Sequence, residues 1–86
     1  MEMKLESNTE KKILNILGDI LEIEDFKIDV VTNLSTIGLD SLSAIKTLIK
    51  IEEVFSIELD DADLIIENAE SISKLVLLVK KYSYRG

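Results

Sequence analysis

The sequence contains no cysteine and no histidine among its 86 residues. The first absence excludes disulfide bonds and thiolate chemistry, and the second excludes every catalytic triad that depends on an imidazole base. Metal sites built on cysteine or histidine ligands are excluded as well. Catalysis by this chain would have to rest on carboxylates, lysines or a serine that has no evident base.

Proline is also absent, and glycine occurs only three times, so the chain has no glycine-rich loop that would cradle a phosphate group. Long hydrophobic runs are missing too: no apolar stretch approaches the length of a membrane span. The first residues do not resemble a signal peptide. These absences lead us to expect a soluble, cytoplasmic protein.

Charge is unbalanced, with 17 acidic and 10 basic residues and a net charge of −7. Such a chain repels phosphate backbones, so we expect no nucleic-acid partner and favour protein partners with basic patches. Eight acids and no base lie between residues 51 and 70, which is typical of a solvated face. The hydrophobic fraction of 47% is sufficient for one small core in a single domain spanning 1–86.

Helical periodicity fills most of the chain and predicts an all-α fold, a small four-helix bundle of three main helices and one short helix. Ser7 and Glu10 have the spacing of a capping box, and Asp40 and Ser71 are suitable N-caps for two later helices. The predicted helices cover about residues 8–23, 41–55, 60–66 and 71–82, with a long loop at 24–40.

The segment before the second helix loses the helical period. Phe26, Ile28, Val30 and Leu34 would also suit a strand, but a lone strand has no partner in this sequence. We therefore predict a long loop whose apolar side chains pin it to the core. Loops of this length in small domains are uncommon and often functional.

The second helix has two apolar stripes when its residues are placed at about 100° intervals. One stripe, with Ala44, Leu48, Ile51 and Phe55, suits the core. The other lies roughly 120° away. One helix of so small a bundle can hardly bury both, so either this helix is central or the second stripe is a partner surface; we favour the partner surface. The second stripe consists of Leu42, Ile45 and Ile49.

Ser41 lies at the predicted start of the second helix, where backbone N–H groups and a partial positive charge favour a phosphate group on its hydroxyl. Asp40 beside it would cap the helix and would also suit a Mg²⁺ ion in the site of a modifying enzyme. Taken alone, an Asp-Ser-Leu sequence is more typical of an ordinary cap.

The pattern around Ser41 resembles the acyl carrier protein family. Gly38-Leu39-Asp40-Ser41-Leu42 is followed one helix later by Glu52-Glu53-Val54-Phe55, and both segments stand at the family spacing. Ile57-Glu58-Leu59-Asp60 also looks like the short stretch that leads to the third helix of the family. The resemblance extends from the first predicted helix to the last.

The resemblance implies that a phosphopantetheinyl transferase attaches 4′-phosphopantetheine from coenzyme A to Ser41. The thiol of that arm would hold an acyl or aminoacyl group as a thioester, which would supply the thiol that the chain lacks. The protein would then be a carrier that loading and synthase enzymes act on, and not an enzyme. The resemblance also implies docking by the second helix, through Asp40, Leu42, Ile45, Ile49, Glu52 and Glu53.

The sequence departs from the fatty-acid carriers at two positions that are usually acidic, which are occupied here by Ser43 and Lys46, and Lys50 adds another base. The second glycine that many peptidyl carriers have before the serine is also missing. We therefore expect a specialised polyketide, nonribosomal peptide or fatty-acid-type pathway. The starting Met1 favours a free-standing carrier, and we expect a monomer.

The main alternative is an unmodified helical interaction module that docks through the second helix. Asp60-Asp61-Ala62-Asp63 suggests calcium but lacks the turn glycine and the closing glutamate of an EF-hand, so we predict an acidic helix start and no metal site.

Five apolar side chains would either line a pocket for an acyl chain or fill the core. These are Leu48, Ile51, Leu64, Ile65 and Val76.

Overall fold

A computed structural model describes residues 3–23 and 28–83 of the chain. It has three α-helices: α1 at Met3–Leu21, α2 at Ser41–Phe55 and α3 at Ile72–Ser83. The segments between them form short 3-10 helices, and no β-strand occurs in the described ranges. The predicted all-α fold is confirmed. The 3-10 helices are Leu34–Ile37, Asp61–Asp63 and Ile66–Ala69.

The core lies where α1 packs against both α2 and α3, while the 3-10 helix Ile66–Ala69 contacts α2 and α3. Each α-helix contributes one apolar stripe, as their periodicity predicts. Four residues of the connecting segments complete the core. The buried side chains are Ile13, Ile16, Leu17, Leu34, Leu39, Ala44, Leu48, Ile51, Leu59, Ala69, Ile72, Leu75, Val76, Leu78, Val79 and Tyr82.

The long connection before α2 is held to the bundle by side chains and by backbone hydrogen bonds. Leu34 is fully buried, and its N–H donates to the carbonyl of Glu70 at 2.8 Å. The N–H of Ser73 donates to the carbonyl of Val30 at 2.9 Å. The prediction of a pinned loop is confirmed for residues 28–40, and Phe26 lies outside the described residues. These anchors fix the segment that leads into α2.

The first helix differs from its prediction at both ends. It begins at Met3, so Ser7 lies inside α1 and the predicted capping box at Ser7 and Glu10 is wrong. Met3, Lys4, Leu5 and Glu6 are good helix formers and extend the helix beyond that signal. It ends at Leu21, because Glu22 adopts a positive φ of 59° and the N–H of Ile23 closes the last turn on the carbonyl of Gly18.

The predicted short helix at 60–66 is wrong, because residues 60–69 form two 3-10 helices and no α-helix. They are separated at Leu64 and Ile65, where Ile65 is extended with φ −127° and ψ 152°. A segment this short cannot offset the cost of helix nucleation, and β-branched residues such as Ile65 and Ile66 weaken helix formation further. Asp60 lies at the N-cap of the first 3-10 helix but makes no side-chain capping bond.

A hydrogen-bonded cluster around Tyr82 fixes the acidic segment to α3. The Tyr82 hydroxyl donates to a carboxylate oxygen of Asp63 and accepts the backbone N–H of Asp60 at 2.9 Å. Lys81 Nζ lies 3.1 Å from the same oxygen of Asp63. The Tyr82 hydroxyl, followed by Lys81, lowers the pKa of Asp63, and the contact raises the pKa of Tyr82. Sequence patterning placed Tyr82 on the core face but missed this role.

Replacing Tyr82 with phenylalanine is expected to lower stability and to flatten its dependence on acid pH. Because the folded-state pKa of Asp63 lies below its unfolded value, its contribution is present above the unfolded pKa and is lost as pH falls through the folded pKa. Urea unfolding of both proteins between neutral pH and about pH 3 measures this difference. An unchanged difference in unfolding free energy across that range would contradict the linkage between Tyr82 and Asp63.

Candidate functional site

The candidate site begins at the N-terminus of α2, which Asp40 caps as predicted. Asp40 Oδ1 accepts the backbone N–H of Ser43 at 2.8 Å and the Ser43 hydroxyl at 2.8 Å. The Ser43 backbone N–H, followed by its hydroxyl, holds the pKa of Asp40 below its usual value. These bonds favour the ionised form of Asp40, and the Ser43 hydroxyl adds a second contact to the cap.

Ser41 is the first residue of α2, and its side chain is exposed. No hydrogen-bond partner for its hydroxyl occurs in the part of the chain that the structure describes. The first turn of a helix directs unpaired backbone N–H groups and a partial positive charge outward. A phosphodiester on the Ser41 oxygen would lie in this favourable field, so the residues present fit a covalently attached phosphate arm.

The approach to Ser41 is set by the 3-10 helix Leu34–Ile37. Asn33 caps its start by accepting the N–H of Ser35 at 3.0 Å. Gly38 ends it with a φ of 110°, a conformation that side chains with a Cβ rarely adopt. Leu39 then enters the core at 7% exposure. A buried residue directly before Asp40 and Ser41 holds the exposed serine at a defined place on the surface.

The two apolar stripes of α2 have different environments. Ala44, Leu48 and Ile51 are fully buried, which confirms the core stripe, and Phe55 is half-buried beneath Lys12 Nζ at 5.5 Å from its ring centre. In the second stripe, Leu42 is 64% exposed and Ile49 is 47% exposed. Ile45 is half-buried against the core. Leu42 and Ile49 therefore form an apolar surface beside Ser41, with Ile45 at its inner edge.

The two glutamates near the end of α2 differ in their contacts. Glu52 is half-buried, and its Oε2 accepts the backbone N–H of Leu59 at 2.8 Å. This bond joins α2 to the segment that follows it, a structural role that sequence patterning missed. Glu53 is exposed, with Lys50 Nζ 3.4 Å from its Oε1. Of the two acids, Glu53 is the one that faces solvent freely enough to meet a partner.

One buried hydroxyl of α2 was not found by sequence patterning. Thr47 is fully buried, and its hydroxyl donates to the backbone carbonyl of Ser43 at 2.8 Å. A bond to the carbonyl one turn earlier satisfies a threonine inside a helix. Its spacing, three residues after Ala44 and four before Ile51, places it beside the core stripe and was the available signal for burial.

The described residues give no support to a metal site among the acidic side chains or to an acyl-chain pocket among the apolar ones. Across residues 3–23 and 28–83, no group of three acidic side chains is arranged to hold a metal ion. Leu48 and Ile51 are fully buried and Val76 is 8% exposed, so these three side chains fill the core. Ile65 is 43% exposed and does not line the interior. None of the described helices is both long and apolar enough to span a membrane.

Comparisons with known proteins give two matches to this chain. Residues 11–79 match the family model described as "Phosphopantetheine attachment site". The chain is also 31% identical over 72 residues to a hydroxamate-type ferrichrome siderophore peptide synthetase of Schizosaccharomyces pombe. That alignment covers 84% of this chain but spans about 1% of the length of the synthetase. No solved structure gives a significant match.

The matched range contains Asp40, Ser41 and all of α2 and is most of the chain. Carrier domains of this kind are not catalytic themselves; they interact with a phosphopantetheinyl transferase and with synthase enzymes. Their cofactor is covalently attached 4′-phosphopantetheine. The chain belongs to the phosphopantetheine attachment site family and has the carrier function of that family.

Proposed function

We propose that the protein is an acyl or aminoacyl carrier whose 4′-phosphopantetheine arm is attached to Ser41. The observation that supports this most is the exposed Ser41 side chain at the first position of α2, directly after the capping Asp40. In the attachment step, Ser41 Oγ would form a bond to the β-phosphorus of coenzyme A and lose its proton. The bond to the adenosine 3′,5′-bisphosphate leaving group would break.

Within this proposal, the bound arm supplies a thiol that holds the cargo as a thioester. The chain itself contributes the attachment oxygen, the rigid start of α2 and the docking surface. Leu42 and Ile49 provide the exposed apolar contacts, Ile45 borders them, and Asp40 and Glu53 provide charge. Glu52 also belongs to the proposed docking set, but its bond to Leu59 N–H limits it to an indirect part.

The proposal extends to a discrete carrier that acts in a specialised polyketide, nonribosomal peptide or fatty-acid-type pathway. The core is assembled from all three helices of this chain, which supports a domain that is stable without a neighbouring domain. The chain contributes no imidazole or thiol of its own, which supports a role without catalysis. The siderophore peptide synthetase relative supports an aminoacyl cargo more than a fatty acyl cargo.

The absence of cysteine gives this proposal a sharp test. The protein is incubated with coenzyme A and a promiscuous phosphopantetheinyl transferase, and intact mass and thiol content are measured together. We expect a gain of one phosphopantetheine and the appearance of one titratable thiol per chain, from none before. A folded protein that gains neither mass nor thiol would refute the carrier and favour the unmodified interaction module.

A further inference from the structure

The exposed face of α2 has positive charge at its centre, although the whole chain is acidic. From Ser41 to Lys50 the helix contains two lysines and no acidic residue. Lys46 follows Leu42 by four positions and precedes Ile49 by three, so on a helix it is the neighbour of both exposed apolar side chains. Lys50 lies one turn further along. The two lysines therefore belong to the same surface as Leu42 and Ile49.

The described part of the chain does little to neutralise these lysines. Lys46 is exposed, and no carboxylate of the described residues forms an ion pair with it. Lys50 has one contact, with Glu53 at 3.4 Å, in which both side chains are more than half exposed. An exposed pair of this kind contributes little. By contrast, Lys74 and Lys81 on α3 each have a closer carboxylate, at 2.8 Å and 3.1 Å.

A partner that covers Leu42 and Ile49 must also remove water from Lys46. Desolvation of an ammonium group without a counter-charge is costly, and a basic partner surface would add repulsion. A carboxylate opposite Lys46 would avoid both costs and would fix the register of docking. The chemistry of this surface therefore selects an apolar groove with acidic groups at its rim.

We propose that Lys46 and Lys50 determine which enzymes use this carrier, by docking to an apolar groove rimmed with carboxylates. This inference rests on the proposed carrier function, because it assigns the partner of that same surface. It makes the net charge of −7 a poor guide to the partner. The acids concentrated at residues 51–70 set the total charge, while the stretch of α2 from Ser41 to Lys50 contains two lysines and no acid.

Two purified stand-alone loading enzymes serve as probes, one with carboxylates and one with arginine and lysine around its carrier-docking groove. The affinity of the unmodified protein for each is measured first, because docking does not require the arm. We expect the wild type to bind the carboxylate-rimmed enzyme more tightly. Lys46→Glu/Lys50→Glu should weaken that binding about tenfold at low salt and should improve binding to the other enzyme.

Two further variants separate local charge from total charge and from apolar contact. The control variant Lys11→Glu/Lys74→Glu changes two exposed lysines of α1 and α3 and has the same net charge as Lys46→Glu/Lys50→Glu. We expect it to change the affinity for either enzyme by less than about twofold. Lys46→Met keeps the apolar stem without the charge. It should weaken binding to the carboxylate-rimmed enzyme, whereas a purely apolar partner site would bind it more tightly.

Equal affinity of the wild type for the two enzymes, or binding to neither, would overturn the inference. Equal effects of the α2 and control variants would also overturn it, because total charge would then explain them. Thioester formation on each phosphopantetheinylated variant should follow the same order as affinity. A protein that docks as expected but gains no arm would refute the carrier function and leave the docking chemistry supported, so the two failures are distinguishable.

Discussion

Replacement of Ser41 with alanine is expected to abolish attachment of the phosphopantetheine arm while the protein stays folded. The hydroxyl oxygen is the proposed attachment point, and alanine offers no atom to form the phosphodiester. Because Ser41 is exposed, we expect its loss to change the free energy of unfolding by no more than about 0.5 kcal/mol. Intact mass after incubation with coenzyme A and the transferase measures the first effect, and urea unfolding measures the second.

Ser35→Ala is the matched control for this prediction. Ser35 is an exposed serine in the preceding 3-10 helix, so its replacement removes a hydroxyl from the same region without touching α2. This variant should gain one phosphopantetheine as the wild type does. Continued modification of Ser41→Ala would place the arm on another residue, and loss of modification in both variants would indicate that the surface rather than the Ser41 oxygen is required.

Replacement with alanine is expected to lower the stability of the protein strongly at one leucine of α2 and hardly at all at another. Leu48 is fully buried, and its truncation leaves a cavity, so we expect a loss of about 2–5 kcal/mol in unfolding free energy. That is a large share of the roughly 5–15 kcal/mol that stabilises a typical domain. Leu42 is 64% exposed, so Leu42→Ala should change stability by about 0.5 kcal/mol or less.

In the loading reaction we expect the larger effect from Leu42→Ala and the smaller one from Leu48→Ala. Leu42→Ala removes an exposed apolar contact of the proposed docking surface, and we expect kcat/KM for a loading enzyme to fall about five- to tenfold. Leu48→Ala should load normally under conditions where it remains folded. Urea unfolding and loading kinetics on both variants test the pair. Similar losses of stability in the two variants would show that the second stripe of α2 belongs to the core.

The sequence was sufficient to predict α2 and α3 because each has a strong local signal at its start. Asp40 and Ser71 both act as caps: Asp40 Oδ1 accepts the N–H of Ser43, and Ser71 Oγ accepts the N–H of Lys74 at 3.3 Å. The apolar period of each helix then leaves little choice of face. The cap also predicts where Ser41 lies, at the first residue of α2, but its proposed role as the attachment residue came from the resemblance to the acyl carrier protein family.

The regions that escaped prediction depend on contacts between residues distant in sequence. Nothing local to Glu52 indicates that it caps the N–H of Leu59 instead of facing solvent. Nothing local to Asp60 indicates that its N–H is held by Tyr82, which lies 22 positions later in the chain. The start of α1 was predicted wrongly for a local reason. Ser7 looked like a cap, but the good helix formers before it extend the helix to Met3.

The hydrogen bonds of Leu59 and Asp60 have a consequence for the way the domain opens. Their amides are held by side chains of α2 and α3, from Glu52 and Tyr82, and not by a helical ladder of their own. We expect these two side-chain bonds to break in local fluctuations that leave the helical hydrogen bonds of α1, α2 and α3 intact. Hydrogen exchange at these two amides would therefore report local opening of this segment independently of global unfolding.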